Sequence, residues 1–229
     1  MCPISSTGGV QDVLDAATPA QGQYPECIPE DDMSKAAYDL AVANLPPAIV
    51  NHSIRVYIYT LALAQKQKSI YSTSPELPLL FVACILHDIG TSSSFDGPHR
   101  FEIEGGDAAV AHLTKYGVSE AAAHQVWQAI ALHTSPQIAE RIGELPRLVR
   151  AGVLRDFGRV AFGEEKEHDG REQELEAQYP RLEAEKVLGD AVAEQAVKNP
   201  AKAPMASWPG VLLQAKLADP EWRGVNKAF

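Results

Sequence analysis

With 229 residues, 45% of them apolar, the chain can build one sizeable domain around a core, or one domain with a small appendage. Its formal net charge of −10, from 30 acidic and 20 basic residues, argues against nucleic acid and against an anionic membrane as partners, because both would be repelled. Three cysteines, Cys2, Cys27 and Cys84, have no paired spacing and give no disulfide framework.

The opening MCPISSTGGVQDVLD lacks the basic start and apolar stretch of a secretory signal. The longest apolar run, Leu77–Leu86, contains Pro78 and is too short to cross a bilayer. The expectation is a cytoplasmic protein. Residues 1–30, rich in Gly, Pro, Ser and Thr, read as a loosely ordered arm. Met33–Asn44 predicts a short helix stopped by Pro46-Pro47. Ile49–Gln67 predicts a long amphipathic helix in which Val56, Leu61 and Leu63 mix with the polar Arg55, Gln65 and Lys66. Leu77–His87 is almost wholly apolar and predicts a central buried helix, with Cys84 as a core residue and Gly90 as a C-terminal stop. A polar loop, TSSSFDGPHR, leads to a helix over Glu102–Tyr116 ended by Gly117. Ser119 is an N-cap for the next helix, which Pro136 closes. Pro146 opens a helix through Phe157, GEEKEHDGREQE is a charged surface stretch, and Leu182–Lys198 and Gly210–Ala218 are two more amphipathic helices. Strand-like alternation is scarce. The expected fold class is all-α, one bundle of about six to eight helices over residues 31–229.

The feature that bears on chemistry is His87-Asp88, directly after LLFVACIL. These side chains have no polar surroundings along the chain, and a buried carboxylate is costly unless it is paired or bound to a cation. A metal ion accounts for both residues; a hydrogen-bonded His–Asp pair capping the helix also does. Two further residues bear on the choice. His52 lies one long helix upstream. Asp156 sits late in LVRAGVLRDFG among Val153, Leu154, Phe157 and Val160, one turn after Gly152, which leaves room beside it. Either residue alone reads as core. In the order His…His-Asp…Asp, on separate predicted helices, the four can converge on one cation.

This set resembles the HD-domain superfamily, whose helical core binds a divalent metal through such residues. The resemblance covers roughly residues 49–157 and implies His52, His87, Asp88 and Asp156 as the ligands. Phosphate-cleaving members carry HDIGK or HDxxE, with a lysine or glutamate where this chain has Thr91. Two-metal members open the next helix with a histidine where this chain has Phe101, within FEIEG, so the resemblance implies one divalent metal per chain. His112, deeper in that helix, reads as an ordinary histidine.

Together LHDIGTS, FEIEGG, WQAIALHTS and RAGVLRDFG are similar to the fungal cyanamide hydratase group, whose members add water across a nitrile and turn cyanamide into urea. The similarity implies a metal-dependent hydratase with a small uncharged substrate. It favours zinc over iron, manganese or cobalt, all of which suit imidazole and carboxylate. His133, inward-facing with Val126 and Ile130, matches a second-metal position of two-metal relatives. It is implied as a proton donor or substrate holder beside Asp88; its other reading is a buried histidine satisfied by a backbone carbonyl. Thr134, Phe101 and Glu102 are expected at the substrate and Asp107 near them, while His99 and Arg100 read as solvated loop residues and His124 and His168 as exposed. Two rival functions share the pattern: an HD-type phosphohydrolase acting on a nucleotide or small phosphate ester, and a catalytically inactive metal-binding module. The apolar faces of the late helices suit a homo-oligomer.

Overall fold

A computed structural model describes residues 24–160, 171–219, 221, 222 and 224, and among them every regular element is a helix. The first is α1, Asp32–Asn44, capped by the Asp31 carboxylate on the Ser34 amide. Pro46 and Pro47 separate it from α2, Pro47–Lys66, where a proline at the first helical position has no amide left to satisfy. α3, Leu77–Ile85, is the central helix, and Leu79 through Ile85 are all buried. It ends two residues before the His87-Asp88 pair, which leads into a single 3-10 turn, Ile89–Thr91. α4, Phe101–Lys115, ends at Gly117, whose φ of 72° is the left-handed conformation that favours glycine. α5, Glu120–Leu132, starts from the Ser119 cap and stops at His133. The short α6, Ala139–Ile142, precedes α7, Glu144–Asp156. The remaining helices are α8, Arg171–Gln178, α9, Ala184–Lys198, and α10, Trp208–Ala218.

α2 lies between α3 and α7, and α4 packs along α5. α3 therefore sits inside, which its uninterrupted apolar run requires. The core extends from Ile28 to Leu212 and includes Tyr57, Phe81, Phe101 and Ile130. No helix among the described residues is long and apolar enough to cross a membrane.

Four details differ from the sequence reading, each for a physical reason. Helices α6 and α8 were not expected: the first is a single turn, and the second is rich in glutamate and glutamine and held from below by Leu175 and Tyr179. Gly90 is not a helix stop. A side chain there would collide with the Phe101 carbonyl and the Gly105 amide, so glycine lets the turn after His87-Asp88 lie directly on α4. Gly152 plays the same part between α7 and α2, where a Cβ would overlap the Thr60 hydroxyl and sit 2.9 Å from the Val56 carbonyl oxygen. Finally, Ile28, assigned to a loose arm, is buried in the core, and Tyr24 meets Tyr38 edge-on. The rest of that arm, His168 and most of the GEEKEHDGREQE stretch lie outside the described residues.

Candidate metal centre

His52, His87, Asp88 and His133 are all within 2% of full burial and meet where α2, the end of α3 and the end of α5 converge. Each imidazole has its Nδ1 tied to an acceptor. The Nδ1 of His87 is 2.7 Å from the Cys84 carbonyl oxygen, and that of His133 is 2.6 Å from the Ile130 carbonyl oxygen. Carbonyls only accept, so both rings carry their proton on Nδ1. The Nδ1 of His52 is 2.7 Å from Asp156 Oδ2 and donates to that carboxylate. The three Nε2 atoms are then left facing Asp88. They lie 3.1 Å (His87) and 3.6 Å (His52) from its Oδ2, and 3.6 Å (His133) from its Oδ1.

Neither Asp88 oxygen has a hydrogen-bond partner among the described residues, although both are buried. The Nε2 atoms of His52 and His87 stand 3.2 Å apart. Two lone pairs facing at that distance repel unless a positive charge lies between them, and an unbonded buried carboxylate is costly for the same want of a cation. His52, His87 and Asp88 can each direct one ligand atom to a common point. The residues thus fit a divalent ion: two imidazoles and a carboxylate, with ring orientation fixed from behind by Nδ1 hydrogen bonds, as metal-ligating histidines usually have.

The electrostatics agree. Burial pushes His52 below its ordinary value, against the pull of Asp156, which favours the neutral imidazole that a metal needs. Burial also opposes charge on His87, but the adjoining Asp88 carboxylate and the Cys84 carbonyl outweigh it and raise the ring. The corner that draws a proton to Nε2 of His87 would equally draw a divalent cation. For Asp88, burial favours the neutral acid, yet the His87 and His133 imidazoles prevail and hold it far below the usual carboxylate range.

Asp156, expected as a fourth ligand, lies outside the group of atoms that share a point. Both of its oxygens are engaged: Oδ2 by His52 Nδ1 and by Arg55 Nη2 at 2.8 Å, and Oδ1 by Arg55 Nε at 2.6 Å. Here it backs His52. Arg55, read with the polar residues of its helix, is wholly buried, because its guanidinium spans Asp156 and the Tyr179 carbonyl oxygen, 2.7 Å away. The signal for it was available: Arg55 follows His52 by three residues and so shares its helical face.

The other expected site residues fall into two groups. Phe101 is buried, edge-on to both His133 (centroids 5.7 Å) and Trp208 (5.8 Å), and walls the site. Phe157 lies across His52 at 4.8 Å. Glu102 is fully buried and accepts from the Thr134 hydroxyl at 2.7 Å. Arg100 grips both carboxylate oxygens of Glu102 and reaches Thr134 at 3.3 Å, so it is no solvated loop residue. Asp107 is elsewhere: it accepts from the Trp127 indole at 2.8 Å and lines a surface groove of about 680 Å³ between α4 and α5 that holds none of the cluster. His112 donates to the Met33 carbonyl oxygen at 2.9 Å, and His99 is an exposed partner of Glu104. Arg150 was not singled out from the sequence; it pairs with Glu140 and donates to the His133 carbonyl oxygen, fixing the end of α5.

An all-helical domain with a buried His, His-Asp cluster that can hold a divalent cation is the class that fold and site define together. The chain belongs to the HD-domain family, whose family model matches residues 49–179. It is also similar to two proteins of Saccharomyces cerevisiae, cyanamide hydratase DDI2 and cyanamide hydratase DDI3. Each is 31% identical over 64 residues, a match that spans 28% of this chain and 28% of the relative.

Proposed function

We propose that the chain is a metal-dependent hydratase that adds water to the nitrile of cyanamide and yields urea. The observation that carries the reading is the convergence of Nε2 atoms from His52, His87 and His133 on an Asp88 carboxylate without hydrogen bonds. The partial likeness to the two cyanamide hydratases supplies the substrate. His52, His87 and Asp88 hold one divalent ion per chain, zinc by preference, with iron, manganese or cobalt also suited to these donors. When bound, such an ion supplies Lewis acidity and brings the pKa of its water toward neutrality.

The chain's own residues do the rest. His133, with Nδ1 tied to Ile130, presents an Nε2 lone pair beside Asp88 and accepts the proton of the attacking water. The oxygen adds to the central carbon of cyanamide, and Nε2 returns the proton to the nitrile nitrogen. The isourea so formed tautomerises to urea, with every atom of water and cyanamide retained. Phe101 forms an apolar wall against His133 that suits a short uncharged molecule. Glu102 and Thr134 hold one another beside the segment carrying His133, which Arg150 and the Ile130 carbonyl keep in place. The arginines described around the site are already paired with carboxylates, Arg55 with Asp156, Arg100 with Glu102, Arg150 with Glu140 and Arg181 with Glu176, which disfavours a phosphate ester.

The test is incubation of zinc-loaded protein with cyanamide and, separately, with a panel of nucleoside monophosphates. Urea release is expected from the first and no phosphate from the second. Phosphate release without urea would replace this reading with an HD-type phosphohydrolase, and inertness toward both, with metal bound, would leave a metal-binding module.

A further inference from the structure

We propose that Arg55 is a positioning residue of the metal centre, acting on His52 through Asp156. The inference rests on the reading of the cluster as a metal centre. Arg55 and His52 stand one turn apart on α2, while Asp156 ends α7, 104 residues from His52 in the chain. A carboxylate arriving from so far has no local reason to settle on the far nitrogen of an imidazole. The guanidinium supplies one. Its planar fork meets both Asp156 oxygens, at 2.6 and 2.8 Å, and fixes the plane of the carboxylate as well as its position.

The fork is itself anchored. Arg55 Nη1 donates to the Tyr179 carbonyl oxygen at 2.7 Å and to that of Pro180 at 3.4 Å, on the stretch that follows α8. From the same stretch Arg181 donates to the Asp156 carbonyl oxygen at 2.6 Å. Gly152 lets α7 lie close enough to α2 for the pair to form. Thus Asp156 Oδ2 is directed at His52 Nδ1, the ring cannot turn over without losing a charge-assisted hydrogen bond, and Nε2 stays aimed at His87 and Asp88. Lysine carries the charge but has a single point of donation and cannot reproduce the fork.

The experiment compares the wild-type chain with Arg55→Lys and Arg55→Gln. Zinc affinity is read by competition with a chromophoric chelator, the cobalt-loaded forms by their visible absorption bands, and folding by circular dichroism. Both variants are expected to bind zinc about 10–100-fold more weakly, the usual effect of losing an outer partner of a ligand, and to show altered cobalt bands at unchanged helical content. A residue that only stabilised the fold would lower the melting temperature and leave the cobalt bands of the folded protein unmoved.

Should the single variants fail to fold, Arg55→Met combined with Asp156→Leu removes both charges at similar volume, a change that buried ion pairs commonly tolerate. That double variant should fold and still bind zinc about 10–100-fold more weakly. Wild-type affinity together with wild-type cobalt bands in any folded variant overturns the proposal. A wild-type chain that binds neither zinc nor cobalt overturns instead the metal-centre reading beneath it.

Discussion

The histidines of the cluster are fixed in two different ways. His87 and His133 are held locally: each ring bonds a carbonyl three residues earlier in its own segment, at Cys84 and Ile130. His52 is held from a distance, by a carboxylate of α7 that depends on Arg55 and on the chain around Tyr179. The first arrangement needs only a helix end with a histidine at the right offset. The second needs three separated segments to be packed before it exists. The local side should therefore survive substitutions that dismantle the other, and the remote side should couple metal binding to the stability of the whole fold.

The largest effect should come from the residue both sides share. Asp88→Ala removes the carboxylate that all three Nε2 atoms face. Zinc affinity should fall by more than the roughly 100-fold that marks loss of an outer partner, and cyanamide hydration should be undetectable. Elemental analysis and urea release check both; a metal-replete Asp88→Ala protein would contradict the assignment of Asp88 as a ligand.

The next effect sets the remote side apart. Asp156→Ala strands the buried Arg55 guanidinium, and uncompensated buried charges of this kind typically cost about 3–5 kcal/mol. Urea denaturation of the metal-free protein should show that loss even though alanine suits the helix. Coupling with Arg55→Met should recover most of it. A single variant as stable as the wild type would mean that the pair contributes nothing to the fold.

On the local side, His133→Ala should keep the metal and lose about 10²–10⁴-fold in rate, the range of a positioned acid–base group. Metal loss in this variant would make His133 a ligand; an unchanged rate would reduce it to a packing residue held by Ile130.

Acid acts on both sides, because the carboxyls of Asp88 and Asp156 are both depressed, and a variant at Asp156 isolates the remote share. Burial favours the neutral form of Asp156, but His52 and Arg55 hold its carboxyl well below its ordinary 3.8. A depressed folded value gives stability that is complete above the unfolded value and is lost as pH falls through the folded one. The metal-free protein should thus weaken from about pH 4 downward, and Asp156→Asn should make that decline shallower, leaving the share of Asp88. Melting temperatures between pH 3 and pH 7, at roughly half-unit intervals, provide the check.

The same division explains what the sequence could reveal. His87-Asp88 is legible because LLFVACIL leaves two polar side chains without polar neighbours along the chain, which a mutual pairing or a shared cation would explain, and the helical period announced most of the helices. His52 was legible from its order before that pair. Asp156 was legible as a residue but not in its placement, since nothing in a linear string tells a carboxylate aimed at a common point from one aimed at the back of an imidazole. Arg55 and Arg100 were read as ordinary polar residues because arginine mostly faces water; the burial of Arg55 follows from Asp156, which only the fold brings within reach, whereas the partner of Arg100, Glu102, lies two residues away and is drawn inside by the start of α4. The structural use of Gly90 and Gly152 is hidden for the same reason: the atoms they make room for belong to other helices.

The smallest effect concerns Thr134. Its hydroxyl donates to Glu102, and the guanidinium of Arg100 already holds both oxygens of that carboxylate. Thr134→Val keeps the shape and deletes the bond to Glu102 together with the longer one from Arg100, leaving Glu102 ion-paired, so the expected cost is about 1 kcal/mol. The segment that carries His133 should remain in place, because Arg150 still donates to the His133 carbonyl oxygen and the Nδ1 bond to Ile130 is untouched. The turnover number for cyanamide should then stay within about threefold of the wild type, with Thr134→Ser matching it in stability. If turnover instead falls by about 10²-fold or more while the melting temperature holds, the hydroxyl is spent on the substrate and not on Glu102. That outcome would move Thr134 from the frame of the site into its reacting surface.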